Sequence, residues 1–232
     1  GQTKPFQKGF IVITTCLLIL ILSLLSGCVK VENTLDLRDI DAIKFELRID
    51  NKYISKLPWQ LNFEHKLRDI FSSKDITFND ENFILNKKDI NIKQTNLYIN
   101  KILKTVSDSL EIGLNDIKIN QLEKNYLFGK KYFYKINLDL MNFEKFDDLE
   151  IFLKIINPSK VTLLTENKNI SSIDKNIIWK IIPGDINQIE FFFWDWNRLL
   201  ISTIFAFLLV FAAYLIRNKR YELGSNLPQL PS

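Results

Sequence analysis

The single imidazole of the chain, His65 in Phe63-Glu64-His65-Lys66, is the first residue to weigh as a catalyst. A catalytic His needs a nucleophile to activate or a carboxylate to orient it. The surrounding sequence supplies neither, so His65 is read as part of a solvated helix face. Two pairs of adjacent carboxylates, Asp80-Glu81 and Asp147-Asp148, come next. Neighbouring side chains on a helix point about 100° apart, which suits an acid/base pair badly. These pairs are read as a loop and a helix-start charge cluster. One His and two Cys leave no His cluster and no Cys₄ set for zinc. The sequence contains no H-E-x-x-H, G-x-S-x-G, Gly-rich phosphate loop or EF-hand pattern. Asn169-Ile170-Ser171 has the form of a glycosylation sequon and is read as chance. The expectation is a non-enzymatic protein with no catalytic residue, no cofactor and no metal.

Cys28 sits in a more specific setting. Lys4 and Lys8 precede an uncharged apolar run from Phe10 to Leu25, which ends in Leu25-Ser26-Gly27-Cys28. At about 1.5 Å per residue that run covers about 24 Å, short of the roughly 30 Å hydrocarbon core of a bilayer. A run of this length behind a basic start fits a signal-peptide core better than a spanning helix. Small residues directly before a Cys resemble bacterial lipoprotein signals. The resemblance implies a diacylglyceryl group on the Cys28 sulfur and cleavage before it, with 1–27 as the signal peptide. Cys16 would leave with that segment, and the mature chain would hold one thiol, without a disulfide.

A second apolar run, Leu199 to Ile216, is uncharged and long enough to span about 27 Å. Trp194 and Trp196 flank it on one side, where interfacial aromatics belong, and Arg217, Lys219 and Arg220 on the other. Positive residues stay cytoplasmic. The expectation is therefore a transmembrane helix over 197–217, a cytoplasmic tail over 218–232 and an extracytoplasmic domain over 28–196. The helix and the lipid at Cys28 would pin both faces of the domain's base to the bilayer. The basic excess resides in the two ends: residues 28–197 hold 25 basic and 26 acidic side chains. A polyanion-binding middle, and with it a nucleic-acid partner, is excluded on that ground.

Residues 29–196 suffice for one domain with a real core. Alternation at Val29, Val31, Leu35 and Leu37, and at Ile43, Phe45, Leu47 and Ile49, predicts half-buried strands. A helix is expected over 56–72, with Pro58 in its first turn. Short strands are expected at 76–78, 83–85 and 90–93. Ile99, Ile102, Leu103, Val106 and Leu110 have helical spacing. Segments 115–122 and 131–141 read as a hairpin turning near Gly129-Lys130, a solvated tip. Phe146, Leu149, Phe152, Leu153 and Ile156 return to helical spacing, stopped by Asn157-Pro158. Val161–Thr165, Ile177–Ile182 and Asn187–Phe193 close the domain as strands, with Pro183-Gly184 in a type II turn. The fold class is α+β: an antiparallel sheet with about three helices, followed by one C-terminal transmembrane helix.

The stretch Trp179-Lys-Ile-Ile-Pro183-Gly184-Asp185-Ile-Asn187-Gln-Ile189-Glu190, then Phe191 to Trp194 and a spanning helix, resembles the C-terminal signature of a cyanobacterial family known as domain of unknown function 3153. Ser26-Gly27-Cys28-Val29-Lys30 resembles its other end. The resemblance implies an uncharacterised membrane protein of the thylakoid or plasma membrane, its domain on the periplasmic or lumenal side. It supplies no catalytic residues. The layout is similar, more distantly, to LppM-type mycobacterial lipoproteins, which implies lipid binding in a domain cavity.

Phe191, Phe192 and Phe193 are read as a strand end entering the membrane interface, or as a contact surface for a membrane-embedded partner. The leading expectation is a bilayer-tethered module that binds or assembles a membrane protein complex, a photosynthetic one in a cyanobacterium. The alternative is a lipid-binding or lipid-transfer module, which requires an apolar cavity.

Overall fold

Period-two alternation governs more of the described chain than helical spacing does. The computed structural model describes residues 29–51, 58–143 and 149–225; Cys28, the segment before it, Asp147-Asp148 and residues 226–232 lie outside the described residues. Strands β1 (Val29–Asp36) and β2 (Ile43–Asn51) are followed by helix α1 (Pro58–Ile70). Then come β3 (Ile76–Phe78), β4 (Asn82–Ile90), α2 (Ile92–Leu110), β5 (Lys118–Tyr126) and β6 (Gly129–Asp139). The chain continues through β7 (Leu149–Ile156), β8 (Val161–Leu163), β9 (Ile170–Ile173), β10 (Asn176–Ile181) and β11 (Ile186–Trp196) into α3 (Arg198–Ser225).

The strands form two sheets rather than one: β3-β4-β2-β1-β7-β10-β9 and β5-β6-β11-β8. Inward-facing Leu35, Phe45, Leu47, Ile177 and Trp179 of the first sheet and Ile136, Ile189, Phe191 and Phe193 of the second are buried. The opposite face of the large sheet is charged, with ion pairs Lys30–Glu32 at 3.6 Å and Arg48–Glu46 at 3.5 Å.

Three expectations need correction. Residues 149–156 are a strand, β7, in parallel register with β1 from Val29 opposite Leu149 to Asp36 opposite Ile156, so the sheet is mixed. The α+β class holds, with three α-helices among the described residues, α1, α2 and the C-terminal α3. The expected strand at 90–93 is split between the end of β4 and the start of α2. The Asn91 side chain accepts from Gln94 N–H at 2.8 Å while the Gln94 side chain accepts from Asn91 N–H at 3.0 Å, a reciprocal cap that starts the helix at Ile92. The hairpin turns at Leu127-Phe128, with Tyr126 opposite Gly129, rather than at Gly129-Lys130. Gly129 begins β6 because a Cβ there would lie 2.5 Å from the Asp195 carbonyl oxygen.

The strands that open and close the domain run in the same sense. At one end, Val31 lies opposite Ile151, which lies opposite Ile181 on its other side, and the turn after Ile181 bonds to Leu140 near the start of β11. At the other end, the loop after β7 reaches β11, where Ser159 Oγ donates to the Trp194 carbonyl. Val29 and Trp196 therefore mark opposite ends of the domain. β11 alone, with 11 residues, is about 34 Å long. Among the described residues, Val29 and Trp196 do not share one base of the domain.

Asp36 closes β1 with a forked contact: Arg38 Nε donates to both carboxylate oxygens, at 3.0 and 3.2 Å, and a terminal guanidinium nitrogen donates at 2.7 Å. This partner holds the Asp36 carboxyl below its ordinary pKa. A carboxyl lowered in the folded state stabilises above its unfolded pKa and loses that contribution as pH falls through the folded value. Asp36→Asn is expected to lower the neutral-pH melting temperature by about 2–4 °C. It is also expected to flatten the loss of stability seen below about pH 4, as thermal unfolding across that range would show.

Candidate functional site

The inner face of the large sheet does not close fully on what covers it. Val31 and Asn33 of β1, Leu47 of β2, Ile151 and Leu153 of β7 and Trp179 of β10 floor a cavity of about 150 Å³. Ile99, Ile102, Leu103, Val106 and Leu110 roof it from one face of α2, the spacing that marked this segment as helical. Ile117, Leu138, Leu140 and Phe143 close its side. Among the described lining residues Asn33 is the only amide, donating to the Phe152 carbonyl at 3.4 Å, and the Trp179 indole is the only other side chain with a polar atom. A void of that volume costs about 4 kcal/mol at about 24 cal/mol per Å³ if it stays empty.

Two asparagines, four residues apart on α2, hold the roof. Asn96 Oδ1 accepts from Ile119 N–H at 2.9 Å and its amide donates to Ile119 O at 3.0 Å. Asn100 repeats this with Ile117, at 2.8 and 3.2 Å. β5 is the edge of the smaller sheet, so these side chains supply ladder bonds that a further strand would have made. Asn100→Ala is expected to cost about 1–3 kcal/mol in denaturant unfolding, because Ile117 loses both backbone partners.

Around Pro183 the chain turns from the large sheet into the small one. Gly184 has φ 81°, a conformation costly for any residue with a Cβ. Leu140 N–H donates to Asp185 O and Gly184 N–H to Leu140 O, both at 3.0 Å. Buried Asn187 completes the corner: Oδ1 accepts from Ile182 N–H at 2.8 Å, and Nδ2 donates to Ile182 O at 3.0 Å and Asp185 O at 3.2 Å. The Pro183-Gly184-Asp185-Ile186-Asn187 motif is thus a structural corner.

The residues expected at the membrane lie at the far end of β11. Phe191 and Phe193 point inward and are fully buried against Tyr134, with ring centroids 5.3 and 5.7 Å away. They cannot meet a partner, which corrects that part of the expected contact surface. Burial also pushes the Tyr134 phenol up from its ordinary pKa. Phe192, Trp194 and Trp196 alternate to the outer face, where Trp194 and Trp196 stack at 4.7 Å. α3 then runs without interruption past Ile216. Arg217, Lys219 and Arg220 are helical residues, and the Arg217 guanidinium lies 5.6 Å from the Tyr221 ring. Residues Arg198–Gly224 are apolar enough to cross a membrane, with a mean hydropathy of 2.6 in their most apolar window, and none of that window is buried. This suggests single-pass membrane anchoring.

Residues 33–223 match the family described as a protein of unknown function, DUF3153. The chain belongs to DUF3153. The matched residues take in both sheets apart from the first four residues of β1, the described cavity lining apart from Val31, the Pro183–Asn187 corner and most of α3. No curated protein matches this DUF3153 chain. The NMR structure of the folded domain of LppM from Mycobacterium tuberculosis is similar at 11% identity, over 75% of this chain and 94% of that one, with a TM-score of 0.40.

Among the described residues no group of three or more His, Cys, Asp or Glu is arranged to hold a metal. His65 is exposed, 3.6 Å from Asp69 on the next turn of α1. Asp80-Glu81 lies in the loop before β4, and Lys130 pairs with Glu123 at 2.8 Å. The structure brings none of these to the cavity.

Proposed function

We propose that this protein is a non-enzymatic, membrane-held binding protein that takes one apolar chain, such as the acyl tail of a lipid, into the cavity between the large sheet and α2. The cavity carries this reading. Its described wall carries no charged side chain and, beside the Asn33 amide and the Trp179 indole, is hydrocarbon, so it recognises length and girth rather than charge. Each methylene that leaves water for such a wall contributes about 0.8 kcal/mol. α3 would keep the domain beside its source of ligand, with Arg217, Lys219 and Arg220 on the cytoplasmic side and the domain outside. A thylakoid or plasma membrane suits that topology. Acylation of Cys28 would add a second attachment. Because Cys28 directly precedes Val29, that lipid would reach the same bilayer only with the strands lying along its surface.

A role in assembling a membrane protein complex draws on the membrane attachment and the near-neutral domain, but the aromatic contact surface expected for it is reduced to Phe192, the one of the three phenylalanines outside the core. The cavity therefore outweighs it. Titration of the full chain in detergent with a fluorescent undecanoic acid is expected to saturate at one probe per chain. Signal that rises linearly with probe, as partitioning into micelles does, would refute the reading.

A further inference from the structure

The outer face of the small sheet changes character along its length. Away from α3 it is polar, with Lys135 and Glu190 paired at 3.1 Å beside Asn120 and Asn137. Towards α3 it becomes aromatic and basic. Lys131 Nζ lies 3.9 Å from the Phe192 ring centroid and 5.3 Å from that of Trp194, and the Tyr126 and Trp194 rings are 5.0 Å apart. Beyond them the β5–β6 turn exposes Leu127 (76%) and Phe128 (42%). This turn is tied to the start of α3, since Asn197 N–H donates to Phe128 O at 2.9 Å. Phe128 and Trp196 also share an apolar groove with Ile201, Phe205 and Leu208 of that helix.

The geometry points to a second membrane contact. The Leu127-Phe128 turn enters the bilayer beside α3, with Tyr126 and Trp194 at headgroup level and Lys124 and Lys131 against anionic lipid headgroups. The occupant follows from continuity: whatever surrounds the first turns of α3 also surrounds a turn bonded to them. Tyr and Trp favour the interfacial zone, and lysines lay their stems on apolar surface while the ammonium reaches phosphate. The contact leans the outer face of the small sheet onto the bilayer. It does not depend on what fills the cavity.

The test uses the full chain in vesicles of phosphatidylcholine and phosphatidylglycerol, with photoreactive benzoylphenylalanine replacing Leu127. The control is the same replacement of Phe78, an exposed residue of β3 in the other sheet, whose register with Phe83, Ile49 and Val31 puts it at the end of the domain away from Trp196. Mass spectrometry is expected to find lipid adducts at position 127 and none at 78. Lys124→Glu and Lys131→Glu are each expected to lower the adduct yield about fivefold, and by less in pure phosphatidylcholine. Equal lipid adducts at both positions, none at 127, or protein adducts at 127 in native membranes would overturn the proposal. Cavity ligand binding should be unchanged in both Lys variants.

Discussion

Asn187→Ala is expected to lower the stability of the protein by about 3 kcal/mol, a fall of roughly 6–12 °C in melting temperature for a chain of this size. Three hydrogen bonds end on this one buried amide, and removing it strands Ile182 N–H, Ile182 O and Asp185 O at the corner between the sheets. Gly184 cannot relax to help, since its positive φ belongs to the same turn. Asn187→Asp should fall at least as far, because a carboxylate oxygen would face two carbonyls. Thermal and denaturant unfolding would measure both, and a loss below about 1 kcal/mol would show that the corner holds without the amide. Acyl-probe affinity of the remaining folded protein should stay near wild type, as the amide bonds only to the corner.

Val106→Phe has the opposite signature. Val106 roofs the cavity from the last third of α2, and a phenyl ring there occupies space that a ligand would use. Displacing about two methylenes of ligand, at about 0.8 kcal/mol each, lowers affinity about tenfold. The empty protein should gain about 1 kcal/mol, since part of the void is filled. Lower affinity together with higher stability separates a binding cavity from a packing defect, for which only stability would change. Val31→Phe fills the floor from β1 and should behave alike; if both variants bind the acyl probe as wild type does, the ligand lies elsewhere.

How far the sequence discloses this arrangement depends on how local each signal is. β1, β2 and β10 alternate cleanly because one face is core and the other charged or solvated. β7 does not: Phe152 and Ile156 lie on the face opposite Leu149, Ile151 and Leu153, so apolar residues occupy both sides. A strand apolar on both faces cannot be told from a helix by periodicity alone, and 149–156 reads as either. The start of α2 was available locally in Asn91 and Gln94, a cap with Asn in place of the commoner Ser or Thr. The spacing of Ile99 to Leu110 revealed the roof as a helix but not that it covers a void. The cavity itself has no local signal. Its wall draws on residues from Val31 to Ile181, each of which reads as ordinary core, and it exists only because these elements stop short of one another. Phe191 to Trp194 shows the converse limit: a four-residue aromatic run suggests one surface, and strand geometry divides it between core and exterior.

One apolar chain is expected to occupy the cavity beneath α2. Native mass spectrometry of the full chain released from lipid nanodiscs tests it most directly, under collisional activation that strips lipid loosely held on α3. One lipid should be retained per wild-type chain and lost at lower activation energy in Val106→Phe. Chains that emerge lipid-free, or that retain lipid equally in both proteins, would contradict it.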